Sequence, residues 1–418
     1  MTMTARTEAS SAPGQPETRP GRAHPPDTPP GRAVSGLLDI IGSSAFLRTS
    51  GFQQGPDDVF VPAALIRQYD LRRGDEIGGT AREPGSSGQA GRGQSRNGQG
   101  RAREKSGVLT HVGTVNGLPA GGAGQRPSFD DLTPLYADQR ILLEAGSASP
   151  TARIIDVISP IGRGQRGLIV SPPKAGKTML LKAIAAAIAA AQPDVHLMMV
   201  LVGERPEEVT DIRRSVRGEV VSSTFDRSAH DHTAVAELAI ERAKRLVEQG
   251  RDVVVLLDSI TRLARAYNLI APASSRILAG GVATSALQPP RAFLGAARNI
   301  EYGGSLTIIS TALIDTGSRM DDVFFEEFKG TGNMELRLRR DLAEKRLFPA
   351  VDVAASGTRR DDLLMTTAEH AATGTLRRGL SGLDAQAALE VLLGRVHGTA
   401  SNAEFLVQIQ GADAGAVR

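Results

Sequence analysis

The 418-residue chain has no cysteine and no tryptophan, and aromatic residues make up only 4% of it. Without thiols it can form neither a disulfide framework nor a thiolate metal site, and its seven scattered histidines show no metal-ligand spacing. Long apolar runs are also missing. The longest beside a helical pattern, Ala183 to Ala191, falls far short of the ~20 residues a membrane span needs. The amino-terminal stretch is rich in Thr, Ala and Pro and lacks the apolar centre of a secretory signal, so the expectation is a cytoplasmic protein with no membrane partner. An apolar content of 40% over this length is ordinary for two or three globular domains. The net charge of +3 is too small to argue for nucleic acid by itself, but its distribution is more telling.

The most informative stretch is residues 166 to 182, RGLIVSPPKAGKTMLLK. An apolar run (Leu168, Ile169, Val170) stops at Ser171 and passes through Pro172, Pro173, Lys174 and Ala175. Gly176, Lys177 and Thr178 then open an amphipathic helix. Strand, tight loop and helix in that order point backbone N–H groups and the positive end of a helix at one place, the natural seat of a phosphate. Lys177 is positioned to reach β and γ phosphates, and the Thr178 hydroxyl to hold Mg²⁺; only the first position of G-x-x-x-x-G-K-[ST] departs, with Ser171 for glycine. Five apolar residues, Val253 to Leu257, then run into Asp258, a second carboxylate for the metal. Glu204 closes another apolar run, Val195 to Val202, and is the candidate to orient or deprotonate water. Glu207 and Glu208 follow in a helical pattern and read as solvated surface.

The rest divides by texture. Residues 1–33 are rich in Pro among Gly, Ser and Thr, and are expected to be a disordered tail. From 35 to 145 short strand-like runs with one small helix, AALIRQYD, predict a compact barrel of the oligonucleotide-binding (OB-fold) type. Residues 81–107 interrupt it. They hold Arg82, Arg92, Arg96, Arg101, Arg103 and Lys105 against Glu83 and Glu104, a surplus of four that exceeds the whole chain's +3. Such an Arg/Gly-rich insertion is either an electrostatic hook for RNA phosphates or a solvated spacer. From 152 to 418 apolar strands alternate with helices, which predicts an α/β domain with a parallel sheet. Two of its loops read as facing a substrate: residues 269–288, with Arg276 and the Gly280-Gly281 pair, and residues 315–322, with Arg319.

Residues 153 to about 408 resemble the motor domain of the Rho family of bacterial transcription termination factors. The likeness is carried by SPIGRGQRGLIVSPPKAGKTML, ERPEEVTDIRRSVRGEVVSSTFD, LLDSITRLARAYN, GAARNIEYGGSLTIISTALIDTGSRMDDVFFEEFKGTGNMEL and AEKRLFPAVDVAASGTRRDDLL. It implies a RecA-type P-loop ATPase that works as a homohexamer, binds single-stranded RNA, and acts as a helicase on the RNA polymerase elongation complex. ATP and Mg²⁺ would be held by Lys174, Ala175, Gly176, Lys177, Thr178, Met179 and Asp258, with Phe348 stacked on the adenine. Glu204 would be the catalytic carboxylate, with Arg205 and Arg262 near the γ phosphate. Arg359 would be the finger given by a neighbouring subunit, supported by Arg346. The loops around Arg276, Gly280, Gly281 and Arg319 would line a central hole holding RNA.

Residues 35 to 145 resemble the same family's RNA-binding barrel through GLLDII, AFLRTSGF, GPDDVFVP and DLTPLYADQRI, with Phe46, Arg48, Asp58, Phe60 and Arg72 on RNA-facing positions. Several residues depart from the family pattern. Ser44 and the pair Ser106-Gly107 stand where aromatics are usual, Gly203 and Ala283 where acids are usual, and Val353 to Ala355 where a base is usual. The Pro-rich tail is expected to stand in place of a helical domain that often precedes the barrel in the family. The expectation is an ATP-dependent RNA translocase that terminates transcription; the alternative is a regulatory RNA-binding ring with weak or altered ATPase and translocation. A secretion or rotary ATPase of the same superfamily would not explain the barrel.

Overall fold

The computed structural model of the chain describes residues 31–83, 107–147 and 149–412. The Pro-rich tail before Gly31 and the Arg/Gly-rich residues 84–106 therefore lie outside the described residues. The first strand, β1 (Arg32–Ile41), starts inside the stretch assigned to the tail, because Arg32 and Ala33 pair with Ala81 and Thr80 of β4 (Glu76–Arg82). That pairing keeps Ala81 in the sheet rather than in the insertion, and Arg82 is kept there by Val108 of the strand after it.

The barrel is completed by β2 (Ser44–Arg48), β3 (Val59–Phe60), helix α1 (Ala63–Tyr69), β5 (Val108–Val115) and β6 (Leu118–Pro119). Its order is β3-β2-β1-β4-β5-β6, and a parallel pair between β3 and β5 closes it, Phe60 opposite Val108. This is the closed topology expected of an oligonucleotide-binding barrel. Its core is small and aliphatic, built on Leu38, Leu47, Val59, Ile77, Leu109 and Val112.

The barrel ends earlier than residue 145. Phe129 packs in the core of the second domain. β7 (Pro134–Leu135) and β8 (Arg140–Ile141) pair with motor strands, so QRILLEA is part of the motor and not a barrel strand. The alternation of residues cannot show which sheet a two-residue strand joins; its register does.

The motor continues with α2 (Pro150–Ile158), β9 (Ile161–Gly162), β10 (Arg166–Ser171), α3 (Lys177–Ala191), β11 (His196–Glu204), α4 (Pro206–Ser215), β12 (Glu219–Thr224) and α5 (Ala229–Val247). Next come β13 (Asp252–Asp258), α6 (Ile260–Leu269), α7 (Thr284–Gly295), β14 (Arg298–Ile300), β15 (Ser305–Leu313), α8 (Arg319–Thr331), β16 (Met334–Arg337), α9 (Arg340–Glu344) and β17 (Gly357–Thr358). Three helices finish it: α10 (Thr367–Leu380), α11 (Ala385–His397) and α12 (Asn402–Ala412). The sheet order is β12-β11-β13-β15-β10-β16-β17, parallel except for β17. Both faces are covered. Met198, Val200, Val202, Val253, Val255 and Leu257 enter one core, while the alternate residues Leu197, Met199, Leu201, Val254 and Leu256 enter the other. A strand apolar at every position is the signature of a parallel sheet between two helical layers. Truncating Leu256 to alanine would cost ~2–5 kcal/mol.

The two domains meet along α5. Gly74 has φ 87°, and a Cβ there would stand 2.4 Å from the Glu241 carbonyl carbon, so only glycine lets the barrel backbone lie on this helix. Around it, Gln53 Nε2 donates to Ser222 O at 2.8 Å, Gln249 Nε2 to Asn116 O at 3.0 Å, and Arg242 Nη1 to Asn116 Oδ1 at 2.8 Å. No helix among the described residues is long and apolar enough to cross a membrane.

Candidate functional site

β10, β11 and β13 end on one edge of the sheet, and that edge gathers the chemistry. After Ser171 the chain turns with Lys174 at φ 67° and Gly176 at φ 89°, and α3 starts at Lys177. Ser171 is buried as the last residue of β10, and its hydroxyl donates to Pro172 O at 2.9 Å. The left-handed backbone falls at 174 and 176, so position 171 does not require glycine.

Lys177 Nζ donates to Glu204 Oε1 at 3.2 Å and also bonds Asp258 Oδ1. The two carboxylates arrive together because β11 and β13 are neighbours, with Leu201 opposite Asp258. Both are buried. Burial and the nearby Asp258 charge push the Glu204 carboxyl above its ordinary value, against the pull of Lys177 and Arg262. Arg262 Nη1 stands 2.9 Å from Glu204 Oε1 and also donates to Gly203 O. Gly203 sits at a bulge in β11 with φ 65°. Thr311 Oγ1 donates to Asp258 Oδ1 at 2.8 Å, leaving Asp258 Oδ2 buried and without a hydrogen-bond partner. Thr178 is half-buried in the same first turn of α3. Thr311 was missed from the sequence, since a threonine inside an apolar strand carries no motif.

Beside this cluster Phe348 packs against Gly176; a Cβ there would lie 3.2 Å from its ring. Phe348, Ala175, Gly176 and Met179 line a mostly apolar cavity of about 140 Å³ next to the phosphate loop. Three arginines do not join the cluster. Arg205 is exposed and pairs with Glu208 at 3.6 Å, on the first turn of α4. Arg346 is exposed with φ 63°. Arg359 follows β17, whose partners Met334 and Glu335 begin β16, so it lies by the opposite ends of the strands from Lys177. There it lines a cavity of about 350 Å³ with Asn333, Glu335 and Ala355.

The two loops expected to face a substrate are packed together. A Cβ at Gly280 would meet Arg319 O at 2.9 Å. Asn268 of α6 holds the first loop by accepting from Ala283 N at 2.7 Å and donating to Gly281 O at 3.1 Å. Arg265 holds the second through Asp321, with Nε–Oδ1 at 2.8 Å. Arg276 and Arg319 are exposed.

On the barrel, Phe46 and Phe60 stand opposite each other on β2 and β3, edge to face with ring centroids 5.9 Å apart. Phe60 is buried and Phe46 half-buried. Arg48 and Asp58 are buried too. Arg48 donates Nε and Nη2 to Asp39 Oδ2 at 3.0 and 2.6 Å and Nη1 to Asp58 Oδ2, with its guanidinium 5.6 Å from the Phe46 ring. Asp58 Oδ1 has no hydrogen-bond partner, and Asp58 lines a cavity of about 280 Å³ with Arg32, Val59, Arg82 and Gly107. Arg72 lies apart from this face, at the seam between the domains, on Asp70 at 2.7 Å and Glu248 at 3.2 Å. Asp39 was missed from the sequence; an acid inside the run GLLDII was its one signal.

Residues 151–358 match the ATP synthase alpha/beta family, nucleotide-binding domain, and residues 34–120 the Rho termination factor, RNA-binding domain. Transcription termination factor Rho of Streptomyces lividans is 61% identical over 90% of this chain and 52% of its own length; that of Micrococcus luteus is 60% identical over 90% and 54%. The chain thus spans about half the length of these relatives. Against the Rho of Streptosporangium roseum the match is 55% identical over 94% of this chain and 97% of the relative. Among solved structures, an ATPase from the type III secretion system of pathogenic bacteria aligns with a TM-score of 0.57 and 24% identity over 68% of this chain and 87% of its own. That likeness shows the RecA-like fold alone. With one domain matching the family's RNA-binding domain and identity above 50% running through both domains, the chain belongs to the transcription termination factor Rho family.

Proposed function

We propose that the chain is a cytoplasmic, RNA-dependent ATPase that assembles as a homohexameric ring, moves along single-stranded RNA and displaces RNA polymerase to terminate transcription. The observation that carries the reading is the cluster in which Lys177 lies between Glu204 and Asp258, on the same chain as a barrel with half-buried Phe46 over buried Phe60 and an Asp58 oxygen without a partner beside a cavity. Lys177 exchanges its carboxylate partners for phosphate oxygens, which frees Glu204 to take a proton from the attacking water. The raised Glu204 carboxyl makes it a stronger base than an ordinary glutamate once ionised. Phe348 and Met179 offer an apolar bed for the adenine ring.

Thr178 and the unpartnered Asp258 Oδ2 fit Mg²⁺ and are the groups that would hold it. When bound, the ion neutralises charge on the phosphates. Arg359 lies too far round the sheet to serve its own Lys177, which supports a finger contributed by an adjoining subunit. The Asp58 acceptor suits an exocyclic amino group such as that of cytosine, with Phe46, held edge to face by Phe60, for stacking. Steady-state ATP turnover with and without cytosine-rich single-stranded RNA tests the reading: stimulation is expected, and turnover indifferent to RNA would refute it.

A further inference from the structure

A continuous chain of hydrogen bonds, most of them between charged groups, crosses from the Phe46 face of the barrel to α6, the helix whose Arg262 contacts Glu204. Its first member is Arg48, beside Phe46, which gives two of its donors to Asp39 Oδ2. The other oxygen of Asp39 accepts from Arg73 Nε at 3.0 Å. Arg73 then leaves the barrel: its Nη1 donates to Glu237 Oε2 of α5 at 3.0 Å. The second oxygen of Glu237 accepts the Tyr267 hydroxyl of α6 at 2.8 Å. The three inner members, Asp39, Arg73 and Glu237, are thus each bound on both sides, between Arg48 of β2 and Tyr267 of α6.

What α6 carries makes the link consequential. Its first turn bears Arg262, on Glu204. Its later residues Arg265 and Asn268 hold the loops of Arg319 and Gly281 through Asp321, Ala283 and Gly281. Tyr267 lies between those two, so its bond to Glu237 fixes the helix at the point where both loops are attached. Burial and the adjacent Glu237 carboxylate push the Tyr267 phenol up, so it remains a hydrogen donor at any working pH. Burial alone would lower Arg73, but Asp39 and Glu237 outweigh it and hold its pKa above the ordinary value. Neither Arg73 nor Tyr267 titrates near neutrality.

We propose that Arg73, Glu237 and Tyr267 are positioning residues through which nucleic acid on the barrel sets α6 and thereby raises ATP turnover. Asp39 divides its charge between Arg48 and Arg73, so a base that draws on Arg48 or Asp58 changes what Asp39 offers Arg73. Arg73 passes that change to α5 and α6. The inference rests on the RNA-dependent ATPase reading. Whatever part of the coupling acts on nucleotide affinity is reciprocal by linkage, so nucleotide in the motor tightens RNA on the barrel by the factor by which RNA tightens nucleotide; the part that acts on turnover carries no such requirement.

The test is a double-mutant cycle on the full chain with Arg73→Met and Tyr267→Phe. The Arg73–Glu237 pair is partly exposed and adds little to stability, the buried Asp39 keeps Arg48 when Arg73 is lost, and Tyr267→Phe removes only a hydroxyl from the half-exposed Glu237, so both variants are expected to fold, which their melting curves check. Each variant is expected to lower the ratio of cytosine-rich-RNA-stimulated to basal turnover about 10-fold, while basal turnover stays within about 2-fold. Combining them is expected to cost nothing further, because each breaks the same link. A ratio that survives in both variants, losses that multiply in the double variant, or an equal fall in basal turnover overturns the proposal. If the unsubstituted chain itself shows no stimulation, the ATPase reading fails first and the link with it; stimulation that persists in the variants removes the link alone.

Discussion

In the motor, Lys177 lies between the carboxylates of Glu204 and Asp258; in the barrel, Arg48 lies between those of Asp39 and Asp58. One cation between two acids serves different ends because burial differs. The Lys177 side chain keeps 14% of its exposure at the mouth of a phosphate loop, whereas Arg48 keeps 4%. A cation that can reach solvent is able to trade its partners for a ligand. A sealed one is part of the fold, and in the proposed reading it acts on RNA through its neighbours, here Phe46 and the unpartnered oxygen of Asp58.

Substitution separates the two arrangements. Arg48→Ala leaves the buried Asp58 without its cation and Asp39 on Arg73 alone, and is expected to cost ~3–5 kcal/mol of barrel stability, read by denaturant unfolding followed with a barrel probe. Survival of the barrel at full stability would show that the Arg48 cluster is as open as the motor's. Lys177→Ala leaves Glu204 on Arg262 and Asp258 on Thr311, so its cost in unfolding midpoint is expected to be smaller than that of Arg48→Ala, while RNA-stimulated phosphate release falls about 10²–10³-fold. Near-normal release would remove the assignment of Lys177.

A smaller effect concerns the segment joining the domains. Asp156 of α2 accepts from Leu143 N at 3.1 Å and Glu144 N at 2.9 Å, and burial pushes its carboxyl up to about 6. The native state therefore holds this proton more tightly than the unfolded chain does, whose value is near 3.8. Its contribution is full below pH ~4 and is lost as the pH rises through about 6, a fall on the order of 2–3 kcal/mol. Asp156→Asn cannot ionise and is expected to flatten that slope in melting curves taken between pH 4 and 7. An unchanged slope would place the titration elsewhere.

The motor was the more legible half in the sequence. Strand-end carboxylates such as Glu204 and Asp258 are set by the parallel ladder, so an apolar run ending in an acid already shows where each will stand. GKT gave the loop, although its left-handed residues are Lys174 and Gly176 and not the Ser171 position. The barrel was legible as a class but not in its charges, because alternation cannot distinguish a solvated arginine from one sealed between two acids. Its far boundary was misplaced for a related reason: β7 and β8 are two residues long, and their membership of the motor depends on pairing with β14 and β9, distant in sequence. Local pattern also gave no sign that Arg72 and Arg73, adjacent in the turn LRRGDEI, serve two different partners on α5 and its end.

The central claim is that a reaction centre held by Lys177, Glu204 and Asp258 is completed by Arg359 from another copy and driven by RNA on the barrel. Its most direct test is ATP turnover per chain in cytosine-rich RNA, followed through serial dilution together with particle mass. The account predicts RNA-stimulated turnover from particles of several chains and its loss as they dissociate. Full, RNA-indifferent turnover from particles of a single chain's mass would contradict it.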